Sequence, residues 1–189
     1  MADPHVCLRC AWDGPTCCQL DLGCEESCFP LSDVERDKIL SELAGDAGAF
    51  AQQANTPVFI ENMKNLFPGE ETLVAELFHP NKFHLRLAVD EAGSCRLLGP
   101  QGCTLSREAR PYYCRLFPLW PVGRSVNVFA LARCQAQRQT RSRRRLLELM
   151  GSSEKNVREL YGRLRLAWGL PPERGLPRLK TIDRIKKKK

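Results

Sequence analysis

Ten cysteines are the residues most able to do chemistry in this chain of 189, and they fall into two groups. The first runs Cys7-x2-Cys10-x6-Cys17-Cys18-x5-Cys24-x3-Cys28. The second runs Cys95-x7-Cys103-x10-Cys114, with Cys134 after a further 19 residues. A C-x2-C pair turns two thiolates toward one ion while backbone amides of the turn point at the sulfurs. Zinc takes about four such ligands in a tetrahedron, and iron–sulfur clusters likewise take about four thiolates. The adjacent pair Cys17-Cys18 is awkward for one mononuclear site, because neighbouring side chains diverge. It favours two centres or one polynuclear centre, and ten cysteines suffice for two four-ligand sites with two left over.

A chain this long can bury a real core, so the cysteines are not needed merely to hold a small scaffold together. The opening Met1-Ala2-Asp3-Pro4-His5 lacks a basic segment followed by an apolar run. No stretch approaches the roughly 18 consecutive apolar residues of a membrane helix. The expectation is a cytoplasmic protein with no membrane association, whose thiols stay reduced and free for metal or redox work. An even number of cysteines is also what a disulfide framework shows.

Arg110 and Arg115 flank Cys114. Guanidinium groups there would offset thiolate charge and donate hydrogen bonds, with an ordinary surface ion pair as the alternative. Phe117-Pro118-Leu119-Trp120-Pro121 reads as hydrophobic shielding and packing. His5, His79 and His84 are imidazoles of a kind that suits zinc and iron, weighed against solvated histidines. No glycine-rich phosphate loop of either common pattern is present, which counts against a methyltransferase of the familiar cofactor-binding kind. The catalytic residues, if any, are not legible.

The elements that must position these thiols are mixed. Residues 1–30 read as loops organised by ligands. Ser32 with Glu35 before Ile39, Leu40 and Leu43 forms a capping box that opens a helix over 32–44. Helices are expected at 56–67, 70–78, 135–150 and from Ser153 to Trp168, where Val157, Leu160, Tyr161, Leu164 and Trp168 recur at helical spacing. Leu85, Leu87 and Val89 alternate with polar residues as in a strand, with Cys95–Leu98 as its hairpin partner and a third strand at 126–131. The fold class is α+β, mostly helical, with a small antiparallel sheet and cysteine-rich metal-binding loops. One domain is expected over 1–170, followed by a basic, disordered tail over 171–189.

Charge is uneven: residues 133–189 hold 18 Lys/Arg against 5 Asp/Glu, whereas residues 1–132 hold 11 against 17. The runs Arg138–Arg145 and Lys180–Lys189 suit an acidic partner, nucleic acid included, although no aromatic platform interleaves them. A helix would spread Arg141, Arg143, Arg144 and Arg145 around its surface, as on a solvated face.

The two cysteine groups, the Cys17-Cys18 doublet and the run from Cys103 through Arg110-Pro111, Cys114-Arg115 and Phe117-Pro118 resemble the YkgJ-type cysteine-cluster family, described as chelating zinc or iron. The resemblance covers about residues 7–134. It implies a metal-binding protein with a structural or accessory use of zinc or iron, an iron–sulfur cluster included, and a metal ion as its ligand. The ligand role carries over to Cys7, Cys10, Cys17, Cys18, Cys95, Cys103, Cys114 and Cys134, then to Cys28, and last to Cys24. The chain departs from the family's first motif, because six residues rather than two separate Cys10 from the doublet. Some members resemble the enzyme that N-methylates flagellin lysines, which implies a metal-dependent group-transfer enzyme as one alternative. A zinc-stabilised nucleic-acid-binding module is the other.

Overall fold

The structure is a computed structural model that describes residues 6–14, 16–43, 45 and 48–173, apart from the side chains of Cys7 and Leu8. It is α+β. The helices are α1 (Val6–Trp12), α2 (Asp33–Leu43), α3 (Pro57–Leu66), α4 (Glu71–Leu77), α5 (Tyr112–Leu116), α6 (Gln135–Gln139), α7 (Arg143–Leu149) and α8 (Glu154–Ala167). The strands are β1 (Phe50–Ala54), β2 (Phe83–Leu87), β3 (Leu98–Gly99), β4 (Gly102–Cys103), β5 (Leu119–Val122) and β6 (Ser125–Val128). They pair as three separate antiparallel ribbons, β1 with β2, β3 with β4, and β5 with β6.

Where a polar side chain starts a helix, the sequence pattern holds. Ser32 and Glu35 form the reciprocal box: Glu35 N–H donates to Ser32 Oγ at 3.3 Å, and Ser32 N–H donates to Glu35 Oε2 at 2.9 Å. Thr56 caps α3 by accepting from Phe59 N–H, and Ser153 caps α8 by accepting from Asn156 N–H. Along α8, Val157, Tyr161 and Leu164 are buried, as their spacing requires.

Four expectations are corrected. The first thirty residues are not all loop, because Val6 buries its side chain and α1 carries both Cys7 and Cys10. Strand β2 pairs with β1, in the register Phe50↔Leu87 to Ala54↔Phe83, and Cys95 meets Val89 only through an isolated bridge. β1 reads Phe-Ala-Gln-Gln-Ala, and its two glutamines mask the alternation. The third strand ends at Val128 and finds its partner in the segment read as shielding, 119–122. The helix expected over 135–150 breaks where Thr140 is extended and Ser142 caps a new helix, accepting from Arg145 N–H.

The main core is aromatic. Trp120 is buried among Phe67, Tyr161 and Phe129, and its Nε1–H donates to the Leu66 carbonyl at 2.9 Å. Helix α8 packs on α5 and β5. A smaller cluster of Ile39, Ala49, Leu97, Leu105 and Ala109 has Cys95 and Cys103 packed against it.

Arg165 on α8 is 1% exposed. Its guanidinium donates to both carboxylate oxygens of Glu70, at 2.6 and 2.8 Å, and its Nε–H donates to the Pro171 carbonyl at 2.9 Å. Pro171 thus belongs to the packed body; of the expected tail over 171–189, residues 174–189 lie outside the described residues. Removing one partner of a buried ion pair strands the other, at about 3 to 5 kcal/mol. Glu70→Ala is therefore expected to lower the melting temperature by on the order of 10 °C. A chain ending at Leu170 should also melt lower, and one ending at Glu173 should not, as thermal unfolding would show.

Candidate metal centre

The Cys17-Cys18 corner is set by Thr16, which is buried. Thr16 Oγ1 accepts from Cys18 N–H at 3.0 Å, and the Thr16 carbonyl accepts from Gln19 N–H at 3.1 Å. The chain then meets the second cysteine group edge to edge. Cys95 N–H donates to the Cys18 carbonyl and Leu20 N–H to the Gly93 carbonyl, both at 2.8 Å, around the Gln19↔Ser94 bridge. On the far side, Asp90 Oδ1 accepts from Ala92 and Ser94 N–H, each at 2.9 Å, and shapes the loop. Gly93 takes φ +79° there, and a Cβ at this position would strike the Leu20 carbonyl oxygen. Only glycine fits.

Cys103 follows through the β3–β4 ribbon, opposite Leu98, and α1 packs against β4. Cys114 is brought in on α5, whose first amide is held from elsewhere: Tyr112 N–H donates to Glu35 Oε1 at 2.8 Å. The same carboxylate takes the Ser32 hydroxyl at 2.7 Å through Oε2. Phe29, next to Cys28, stacks on Tyr113, next to Cys114. Cys134 caps α6, which packs against α1.

The electrostatics report how these thiols see one another. Burial pushes the Cys114 thiol well above its ordinary value, and the charges of Cys18, Cys95, Cys103 and Glu35 push it the same way. Burial lifts Cys95 to about 12, opposed by the Leu97 amide and reinforced by Cys18, Cys103 and Cys28. Cys103 is raised by burial, with the Leu105 amide and then Arg110 acting against it. Cys18 goes down, to about 7, through a hydrogen bond from Cys17 first, with Thr16 and Arg110 helping and burial opposing. Cys10 is raised by burial; the Gln135 amide and Arg138 lower it, while Cys134 and Cys18 raise it. Cys28 is raised by burial, with Arg86 opposing.

Cys95, Cys103 and Cys114 each feel the charge of Cys18, Cys95 also feels that of Cys28, and Cys10 feels both Cys134 and Cys18. Cys24 is exposed. The Cys7 side chain and His5 lie outside the described residues. Among the described residues, no three His, Cys, Asp or Glu side chains converge closely enough to hold one ion.

The other two histidines are not drawn in. His79 Nδ1 accepts from Asn81 N–H at 3.3 Å. His84 stacks on Phe59, its Nδ1 lies 2.8 Å from Asn55 Oδ1, and burial, with Arg86 adding to it, lowers its pKa to about 4. Arg110 reaches Cys18 and Cys103, whereas Arg115 turns to the Glu108 carbonyl at 3.5 Å. The 118–121 run is buried packing. Sequence reasoning missed Thr16, Gly93 and the second role of Glu35. The one signal available was Asp90-x2-Gly93, a turn pattern with no visible partner.

The donor set is soft, and burial, with repulsion from neighbouring thiolates, raises Cys95, Cys103 and Cys114. A thiophilic dication would reverse both effects by deprotonating its ligands outright. No family model, curated protein or solved structure matches the chain. No helix among the described residues is long and apolar enough to cross a membrane.

Two measurements follow from this geometry. Gly93→Ala is expected to lower both the melting temperature and metal uptake, whereas Gly123→Ala should cost only about 1 kcal/mol. Residue 123 also has positive φ, but a Cβ there meets nothing within 4 Å. In metal-free protein, the thiolate is the nucleophile, so alkylation of Cys18 should rise as pH passes about 7. Cys95 should stay unmodified until far more alkaline pH. Mass-spectrometric mapping of the alkylated peptides checks the order.

Proposed function

We propose that this protein chelates zinc or iron through clustered cysteines, in a structural or accessory role and in a reducing, cytoplasmic setting. The observation that carries the reading is that thiols from two distant segments act on one another. Cys18 from the first group bears on Cys95, Cys103 and Cys114 from the second. Those four are the proposed main ligand set, with Cys17 and Cys28 in reach of a polynuclear centre. Cys10 and Cys134 form the proposed second group, with Cys7 as its third candidate by sequence spacing.

Iron as an iron–sulfur cluster fits the adjacent cysteines better than one zinc does, because a cluster spreads its ligands over several metal atoms. The resemblance to the YkgJ-type cysteine-cluster family supports chelation. A group-transfer enzyme is the second reading in that family's light; it requires a metal with one coordination position left to water or substrate.

Anaerobic purification with zinc, iron and acid-labile sulfide counts tests the proposal. Stoichiometric metal is expected, and Cys18→Ser, Cys95→Ser, Cys103→Ser and Cys114→Ser should each lose most of it while Cys24→Ser keeps it. Adding metal back should raise the melting temperature by mass action. A protein that takes up neither metal under reducing conditions would overturn the reading. A colourless protein with zinc and no labile sulfide would leave chelation standing and remove the cluster.

A further inference from the structure

The break between α6 and α7 shapes a basic groove. A cavity of about 480 Å³ opens there, with Val128, Ala130, Leu131, Ala132 and Leu146 on its apolar walls and Arg138, Arg141 and Arg143 around it. A continuous helix would have scattered these guanidiniums; the extended Thr140 and the new cap at Ser142 gather them. The wall is braced, since Gln137 Nε2–H donates to the Phe129 carbonyl at 2.7 Å and Gln137 Oε1 accepts from Leu131 N–H at 3.2 Å.

The arginines of this segment divide into two kinds. Arg144 and Arg145 lie 3.4 and 2.9 Å from Glu148, and Arg143 lies 3.1 Å from Glu154. No acidic side chain among the described residues pairs with Arg138 or Arg141, both of which are exposed. Two unneutralised cations beside a preformed apolar cavity form a site complementary to an anion that carries an apolar group.

We propose that this groove docks an acidic peptide segment of a partner protein, with an aliphatic side chain of that segment seated on Leu131 and Leu146 and flanking carboxylates on Arg138 and Arg141. Bidentate carboxylate pairing is what the guanidinium fork does best. Single-stranded nucleic acid fits less well, because it binds by stacking bases on aromatic rings, and no aromatic side chain lines the cavity. The groove borders the second cysteine group: Arg138 draws down the Cys10 thiol, and Cys134 caps the helix that carries Arg138. The proposal stands whether or not the cysteines hold metal.

Fluorescence anisotropy on the full chain tests it, with a short labelled peptide of glutamates containing two leucines. The comparison probes are the same peptide with serine in place of leucine and a single-stranded oligonucleotide of equal charge. The leucine peptide should bind best, and Arg138→Glu and Arg141→Glu should each weaken it about tenfold. Arg144→Glu and Arg145→Glu should change it by less than about twofold, as for exposed charges already paired. Equal binding of the serine peptide, tighter binding of the oligonucleotide, or equal loss with Arg144→Glu would each overturn the groove as a peptide site.

Discussion

The contact on which the cysteine arrangement depends is a stitch two hydrogen bonds long, between Cys18–Leu20 and Gly93–Cys95. It closes a loop of more than seventy residues and sets both chains in antiparallel register, so that Cys18 and Cys95 become backbone neighbours. Loop closure grows only slowly more costly with length, at about 0.6 kcal/mol per doubling, so the distance along the chain is no obstacle. Geometry is. The Gly93 backbone lies so close to the Leu20 carbonyl that a side chain cannot be inserted. The Asp90 carboxylate, by gathering the Ala92 and Ser94 amides, holds the loop in that conformation.

A second buried polar group governs the other approach. Glu35 is 3% exposed, and both its oxygens are engaged, Oε2 by Ser32 and Oε1 by the Tyr112 amide. A buried carboxylate without partners is costly, and one with several hydrogen bonds is held rigidly. The capping box that starts α2 therefore also fixes the start of α5 and, two residues on, Cys114. Glu35 faces Cys114 closely enough for its charge to disfavour the thiolate. It is a positioning residue that works slightly against the group it positions.

What the sequence makes legible follows from where the governing physics is local. Ser32, Thr56 and Ser153 announce their helices because a cap is satisfied within three residues. Packing in α8 was legible because one face of a helix repeats. The partner of β2 was not, since β1 pairs through backbone and presents glutamines in its middle. Helix α1 hid because it is only seven residues long and its cysteines read as loop ligands. The grouping of the thiols was legible as two sets in sequence. Their regrouping in space, with Cys18 leaving its neighbours to join Cys95, Cys103 and Cys114, depends on Gly93 and Glu35, whose long-range roles have no local signature.

Charge balance is the last constraint on what such a set of thiols can be. A neutral thiol is a modest hydrophobe, so burying Cys95 and Cys103 on the small apolar cluster costs little while their protons stay on. Ionising one adds a desolvation penalty of several kcal/mol. A single guanidinium near 4 Å returns about 4 kcal/mol at the effective dielectric of such sites. Arg110 reaches both Cys18 and Cys103, and Arg115 is turned away. One arginine can therefore sustain about one thiolate; Cys18 falls to about 7 while Cys95 rises to about 12. Arg86 and Arg138 act on other thiols, Cys28 and Cys10. The proposed dication would supply the charge that further thiolates need and would displace their protons, so its affinity should rise with pH.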